Sequence, residues 1–195
     1  IPVEGELEIW DRPRPDVPPE QYKPYDISKG IIPPMADFGS GYRWHVTGLN
    51  HDETGFPTNK PSLVQPEEER LLAKIAENLD IIEKYEYQQA EGARVGIVSF
   101  GSSARSARAA IAQAEQEGIA VDFLRPITIW PYPIRPTIEM ADRVDTIVVP
   151  EMNLGQIIEE VQRCIEGRAR VVGVNRADGE PITPEQILER IREVS

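Results

Sequence analysis

The chain has 195 residues, of which 40% are hydrophobic, and a formal net charge of −12; this allows one well-packed domain plus some extended structure, but not two full-sized domains. The acidic balance excludes ordinary binders of nucleic acid or anionic membrane, which need clustered Lys and Arg for phosphate contacts, while a basic small-protein partner is compatible with it. The single cysteine, Cys164, excludes an internal disulfide framework, a four-cysteine zinc site or an iron–sulfur cluster within this chain, and fits a reducing compartment.

No apolar run reaches membrane-spanning length and the start carries no signal-peptide pattern, so no membrane partner and a cytoplasmic location are expected. The chain opens on Ile1 and not Met, as a piece of a longer polypeptide or a processed chain would. Up to Val64 it holds ten of the eighteen prolines, in runs such as "DRPRPDVPPEQYKPYD" and "IIPPMADFGSGYRW". Proline removes a backbone donor and pushes its predecessor to extended geometry, so residues 1–65 read as an irregular arm or linker. Trp10, Tyr22, Tyr25, Phe38, Tyr42 and Trp44 argue against disorder. The arm is expected to bury them on its own domain or on neighbouring domains or subunits.

From Pro66 the pattern turns regular. "PEEERLLAKIAENLDIIEKY" has Pro and acidic residues in its first turn, then Leu72, Ile75, Leu79 and Ile82 at helical spacing, and predicts one amphipathic helix. "RVGIVSF" predicts a strand. The next segment, "GSSARSARAAIAQAEQEG", predicts a helix with an Ala104, Ala107, Ile111, Ala114 face and Gly118 at its end. There follow a strand in "IAVDFLRP", a short helix in "RPTIEMADRV", a strand in "VDTIVVP", a helix in "LGQIIEEVQRCIEG", a strand in "ARVVGVN" and a last helix in "TPEQILERIREV". Thr183, Pro184 and Gln186 spell a capping box with Pro at the first helical position. Strands joined by helical crossovers require a mainly parallel sheet with helices on both faces, so residues 66–195 are expected to form a three-layer α/β/α domain.

Three places carry possible chemistry. "HVTGLNHDETG" holds both histidines, His45 and His51, but their spacing shares no helical face and matches no zinc motif; a metal site would need Asp52 or Glu53. Its Gly, Asn, Asp and Thr content is that of a turn-rich loop, with His45 still available as a donor to a partner or substrate. In "SFGSSARSA", Gly101, Ser102 and Ser103 fall at a helix start that can hold a phosphate or carboxylate with help from Arg105 or Arg108. Helix capping alone also accounts for these serines, and neither GxGxxG, a P-loop lysine nor a GxSxG elbow is present. At the remaining strand ends stand Arg125, Glu151, Asn153, Asn175 and Arg176, either lining the crevice usual at the carboxyl edge of a parallel sheet or forming structural pairs such as Arg125–Glu151 across adjacent strands. Cys164 lies on an apolar helix face and reads as a buried inert thiol, and Glu67, Glu68 and Glu69 read as a solvated first turn.

"LRPITIWPYP", "VVPEMNLGQIIEEV", "VVGVNRADGEPITPEQIL", "SFGSSARSARAAI" and "GYRWHVTGLNHDETGFPT" together closely resemble, in the same order, the C-terminal region of the alpha subunit of 2-oxoacid:ferredoxin oxidoreductases, especially the 2-oxoglutarate type. The resemblance implies a fold similar to the transketolase C-terminal domain. It also implies an enzyme that decarboxylates a 2-oxoacid on thiamine diphosphate and Mg2+, passes electrons through iron–sulfur clusters to ferredoxin and transfers the acyl group to coenzyme A. On this reading none of these cofactors is bound by the present chain, which carries no catalytic residue and is inactive alone. Its partners are then the beta subunit and the remaining alpha and gamma domains. Arg43, His45, Arg125, Glu151, Asn153 and Gln156 fall in the family's motifs and are assigned by resemblance to interdomain or subunit contacts. The alternative is a stand-alone anion- or nucleotide-binding module that uses Gly101, Ser102 and Ser103.

Overall fold

The computed structural model describes residues 5–6, 11–46 and 48–195; Trp10, one of the aromatic residues expected to be buried, lies outside them. Contacts divide the chain into two compact units, Ile1–Asn78 and Leu79–Ser195. The division falls later than the expected 65/66 boundary, because the first helix groups with the proline-rich segment.

In the first unit the prolines keep the backbone irregular, with short 3-10 turns at Pro19–Gln21 and Ile27–Lys29. Aromatic side chains supply the cross-links that regular structure would otherwise give. The Tyr22 hydroxyl accepts from Ala36 N–H at 3.1 Å and donates to Pro34 O at 3.2 Å, and its ring meets Tyr42 and Trp44 edge-on. Tyr42 in turn donates to Val17 O at 2.7 Å. Phe38 departs from expectation: it stacks on Trp44 yet is 94% exposed, since the loop around it supplies no second wall.

The first helix, α1 (Pro61–Ala76), starts with Pro61 in its first turn, where a missing N–H costs nothing, so Pro66 lies inside it and not at its start. None of its residues is buried, and Leu72 is 67% exposed. Glu67 is not a solvated first-turn residue. Its carboxylate takes Arg70 Nη2 and Nε at 2.6 and 3.0 Å, Arg70 also donates to Ile31 O at 3.0 Å, and His51 Nε2 stands 4.0 Å away. The single long helix expected here is broken. Asn78 donates its side chain to Lys74 O and its backbone N–H to Ile75 O, which competes with helix continuation, and α2 (Leu79–Ile82) is a separate turn in the second unit.

The second unit is a five-stranded sheet: β1 (Tyr85–Gln88), β2 (Val95–Val98), β3 (Val121–Pro126), β4 (Thr146–Glu151) and β5 (Arg170–Asn175), in the order β1-β3-β2-β4-β5. Strands β2 to β5 are parallel, as expected. β1 was not expected and pairs antiparallel with β3, Glu86 opposite Arg125. The helices are α3 (Ser103–Gln116), α4 (Ile134–Ala141), α5 (Gln156–Ile165) and α6 (Pro184–Val194).

Each face of the sheet carries its own core. On one, Ala104, Ala107, Ala110 and Ala114 of α3 pack with Ile187, Leu188 and Ile191 of α6 on Val95, Ile97, Val121, Phe123 and Val148. On the other, Met140 and Ala141 of α4 and Ile157, Val161, Cys164 and Ile165 of α5 cover Val98, Leu124, Ile147 and Val149. Both faces of the central strands are therefore dry, and each fully buried Ile or Leu contributes about 1.5–3 kcal/mol. The architecture is three layers, α/β/α, with a mainly parallel sheet. The predicted capping box is present, Gln186 N–H reaching Thr183 Oγ1 and Thr183 N–H reaching Gln186 Oε1. Gly118 ends α3 at φ +78°.

Candidate functional site at the carboxyl edge of the sheet

The strand order creates a switch point. The chain leaves β2 toward β3 on one side and leaves β4 toward β5 on the other, so the loops after β2 and β4 diverge and leave a crevice at the carboxyl ends. Ser99, buried at the end of β2, donates to Pro150 O at 3.1 Å and ties the two strands together at its floor.

The β4–α5 turn is held by its own side chains. Glu151 has no solvent exposure; Oε2 accepts Ile157 N–H at 2.8 Å and Oε1 accepts Ile158 N–H at 3.1 Å. Asn153 Oδ1 accepts the N–H groups of Gly155 and Gln156, both at 2.8 Å. Gly155 takes φ +116°, and a Cβ there would stand 3.0 Å from Ile158 Cγ2. A negative carboxylate against unpaired helix N–H groups is favourable on both hydrogen-bonding and dipole grounds. Glu151, expected at an interdomain or subunit contact, is instead spent on capping α5. Asn153 does similar work and also accepts Asn175 Nδ2 at its carbonyl, 3.2 Å. Gln156 is exposed.

Beside this turn lies an open hollow of about 580 Å³ bordered by Met152, Asn153, Gln156, Glu159 and Gly179. Leu154 stands over it 85% exposed. Arg176 forks onto Asp178 at 2.7 and 2.8 Å. That ion pair, with the Glu180 N–H, holds the Asp178 carboxyl down at about 2.

Arg125 and Glu151 do not pair. β2 lies between their strands, and Arg125 Nη1 reaches Glu86 Oε1 on β1 at 3.1 Å. Glu86 escaped the sequence reading because β1 did; its signal was the alternation of Tyr85 and Tyr87 with Glu86 and Gln88. Ser102 does not cap α3 with its side chain; its hydroxyl faces Met152 Sδ at 3.4 Å across the crevice. Gly101, at φ +58°, and Ser103, buried, complete the turn. Arg43 and His45 belong to the first unit. Arg43 is exposed, while His45 stacks on Phe56 and its Nδ1 lies 2.8 Å from Gly55 O. His51 and Asp52 form a turn in which Asp52 N–H meets Phe56 O and Asp52 Oδ1 accepts Thr54 N–H, both at 2.9 Å. No group of three or more His, Cys, Asp or Glu placed to hold a metal ion occurs among the described residues. No described helix is long and apolar enough to cross a membrane.

Residues 93–187 match the family model described as pyruvate:ferredoxin oxidoreductase core domain II. A 2-oxoglutarate synthase subunit KorA of Methanothermobacter thermautotrophicus is 36% identical over 98% of this chain and 51% of its own length, and that of Methanocaldococcus jannaschii is 38% identical over 94% of this chain and 49% of its own length. The chain thus spans about half the length of these curated relatives. Among solved structures, the 2-oxoglutarate:ferredoxin oxidoreductase of Magnetococcus marinus, with 2-oxoglutarate, coenzyme A and succinyl-CoA bound, superposes with a TM-score of 0.77 at 29% identity, covering 96% of this chain and 33% of that one. With a sequence match running through nearly every residue, this chain belongs to the 2-oxoacid:ferredoxin oxidoreductase family, as a region of one of its subunits.

Proposed function

We propose that the chain is a structural and assembly region of a 2-oxoacid:ferredoxin oxidoreductase, with 2-oxoglutarate as the 2-oxoacid. The observation that supports this best is the identity to 2-oxoglutarate synthase subunits along 98% of the chain. The side chains agree with a scaffold: at the carboxyl edge, where ligands usually bind, Glu151 and Asn153 are consumed by backbone N–H groups of this same fold.

In the whole enzyme the reaction would be oxidative decarboxylation of 2-oxoglutarate to an acyl-coenzyme A with reduction of ferredoxin. Thiamine diphosphate with Mg2+ would supply the decarboxylation chemistry and iron–sulfur clusters the electron path. This chain's residues do not fit either group. It has one cysteine, Cys164, buried in the α5 face, and no described acidic cluster suited to a metal ion. On this proposal those sites would lie on other polypeptide, namely the rest of the alpha subunit and its beta and gamma partners, working in the cytoplasm. The part left to this chain is surface: Arg43, Arg125 and Gln156 at contacts, with Arg43 and His45 near the active-site entrance.

Two experiments test the reading. Calorimetry of the chain with coenzyme A, thiamine diphosphate and nucleotides is expected to detect no tight binding; micromolar affinity lost in Ser102→Ala would instead favour an anion-binding module. In the complete enzyme, Arg43→Ala and His45→Ala are expected to lower turnover while leaving the subunits associated, and unchanged turnover would remove both residues from the entrance.

A further inference from the structure

An arginine cluster stands out on this acidic molecule. On the α3 side of the sheet, where β1 forms the edge, the Glu86 carboxylate is shared by two guanidinium groups, Arg108 of α3 and Arg125 of β3. Arg125 and Glu86 face each other in register across β1 and β3. Arg108 also lies over the Phe123 ring, its Cζ 5.1 Å from the centroid, which fixes its direction. Arg105 is one helical turn before Arg108, exposed, and has no ion pair or hydrogen-bonded acceptor for its side chain among the described residues. Positive charge thus exceeds negative here, on a chain whose net charge is −12.

The donors are largely unused. A guanidinium carries several N–H groups in a fork matched to carboxylate oxygens. Among the described residues only one nitrogen of Arg108 and one of Arg125 finds an acceptor, and both meet the same Glu86. Arg125 Nε is enclosed with no acceptor among the described residues, so part of its desolvation is already incurred. Arg108 and Arg125 are each about 40% exposed. Packing alone would be served as well by alkyl groups. Arginines held by an aromatic ring and a shared carboxylate while still partly exposed form a preorganised receptor for acidic groups on a broad surface.

We propose that Arg105, Arg108 and Arg125, grouped around Glu86 beside β1, form a docking surface for an acidic segment of a partner polypeptide, whose carboxylates compete with Glu86 for the two shared guanidinium groups. The inference rests on this cluster and not on the enzyme reading above. It predicts an unusual sign, since removing the charge of Glu86 should strengthen binding.

The test is fluorescence anisotropy of the chain with a labelled oligoglutamate peptide, with inorganic phosphate as the competing probe. Binding is expected at low salt and should weaken as salt rises through about 0.3 M. Arg105→Gln, at an exposed position with no side-chain hydrogen bond or ion pair among the described residues, should weaken it several-fold. Glu86→Gln should tighten it about tenfold, the scale of one charge pair, with circular dichroism confirming that both variants are folded. Equal affinity in wild type, Arg105→Gln and Glu86→Gln would overturn the proposal. So would displacement of the peptide by phosphate at equal anion concentration, which would indicate a small-oxyanion site instead.

Discussion

Glu151 Oε2 accepts the Ile157 N–H at 2.8 Å, so the last residue of β4 caps the helix that begins five residues later. With Oε1 on Ile158 N–H, both carboxylate oxygens are used inside the core. Glu151→Ala leaves two orphan donors and a void and should lower unfolding free energy by about 2–4 kcal/mol. Glu151→Gln keeps one acceptor and should cost about 1–2 kcal/mol. Urea unfolding measures both, and equal midpoints for wild type and Glu151→Ala would contradict the capping role.

The loop that carries both histidines depends on a glycine. Gly55 sits at φ +90°, and a Cβ there would stand 1.9 Å from His45 O. Gly55→Ala should therefore displace the strand of chain around His45, by a cost of about 2–4 kcal/mol to the first unit. Proteolytic sensitivity of the 45–57 segment gives the measurement; wild-type resistance would contradict the close approach.

Burial pushes the Tyr132 and Tyr87 hydroxyls well above their ordinary value of 10, and for Tyr87 the hydrogen bond to Asp122 adds to the effect. The folded state holds these protons more tightly than the unfolded chain, so the stabilisation is complete below about pH 10 and is lost as pH rises beyond it. Tyr132→Phe leaves Thr137 bonded to Pro133 O at 2.8 Å. It should cost about 1 kcal/mol at neutral pH and flatten the alkaline fall in stability. A pH series of thermal unfolding from neutral to alkaline checks the slope.

Cys164 is buried, and burial raises its thiol above the usual value. Since the thiolate is the reactive form, it should resist alkylation in the native chain and react at once in denaturant. Rapid labelling of the native protein would contradict its place in the α5 core.

Most of the second unit could be read from the sequence because its local signals agree. The alanine stripe of α3, the Thr183 capping box and the apolar runs of β2 to β4 each name one element and one face. β1 was hidden because Leu79 and Ile82 extend the helical spacing of Leu72 and Ile75 almost up to Tyr85; only Asn78, turning back on Lys74, ends the helix. The Arg125–Glu151 pairing failed for a topological reason: spacing along the chain does not reveal that β2 separates β3 from β4. Glu67 was misread because its neighbours Arg70 and His51 converge on it only after folding. At the carboxyl edge the polar residues were legible as residues. Their use as caps was not, since capping geometry depends on the turn that Gly155 permits.

The central claim is that this chain contributes scaffold and surface while the reacting groups lie elsewhere. Its most direct test is an assay of the purified 195-residue chain with 2-oxoglutarate, coenzyme A, thiamine diphosphate, Mg2+ and an artificial electron acceptor. The account predicts no reduction of the acceptor above the protein-free rate until the remaining subunit polypeptides are added. Acceptor reduction by the isolated chain, dependent on 2-oxoglutarate, would contradict it.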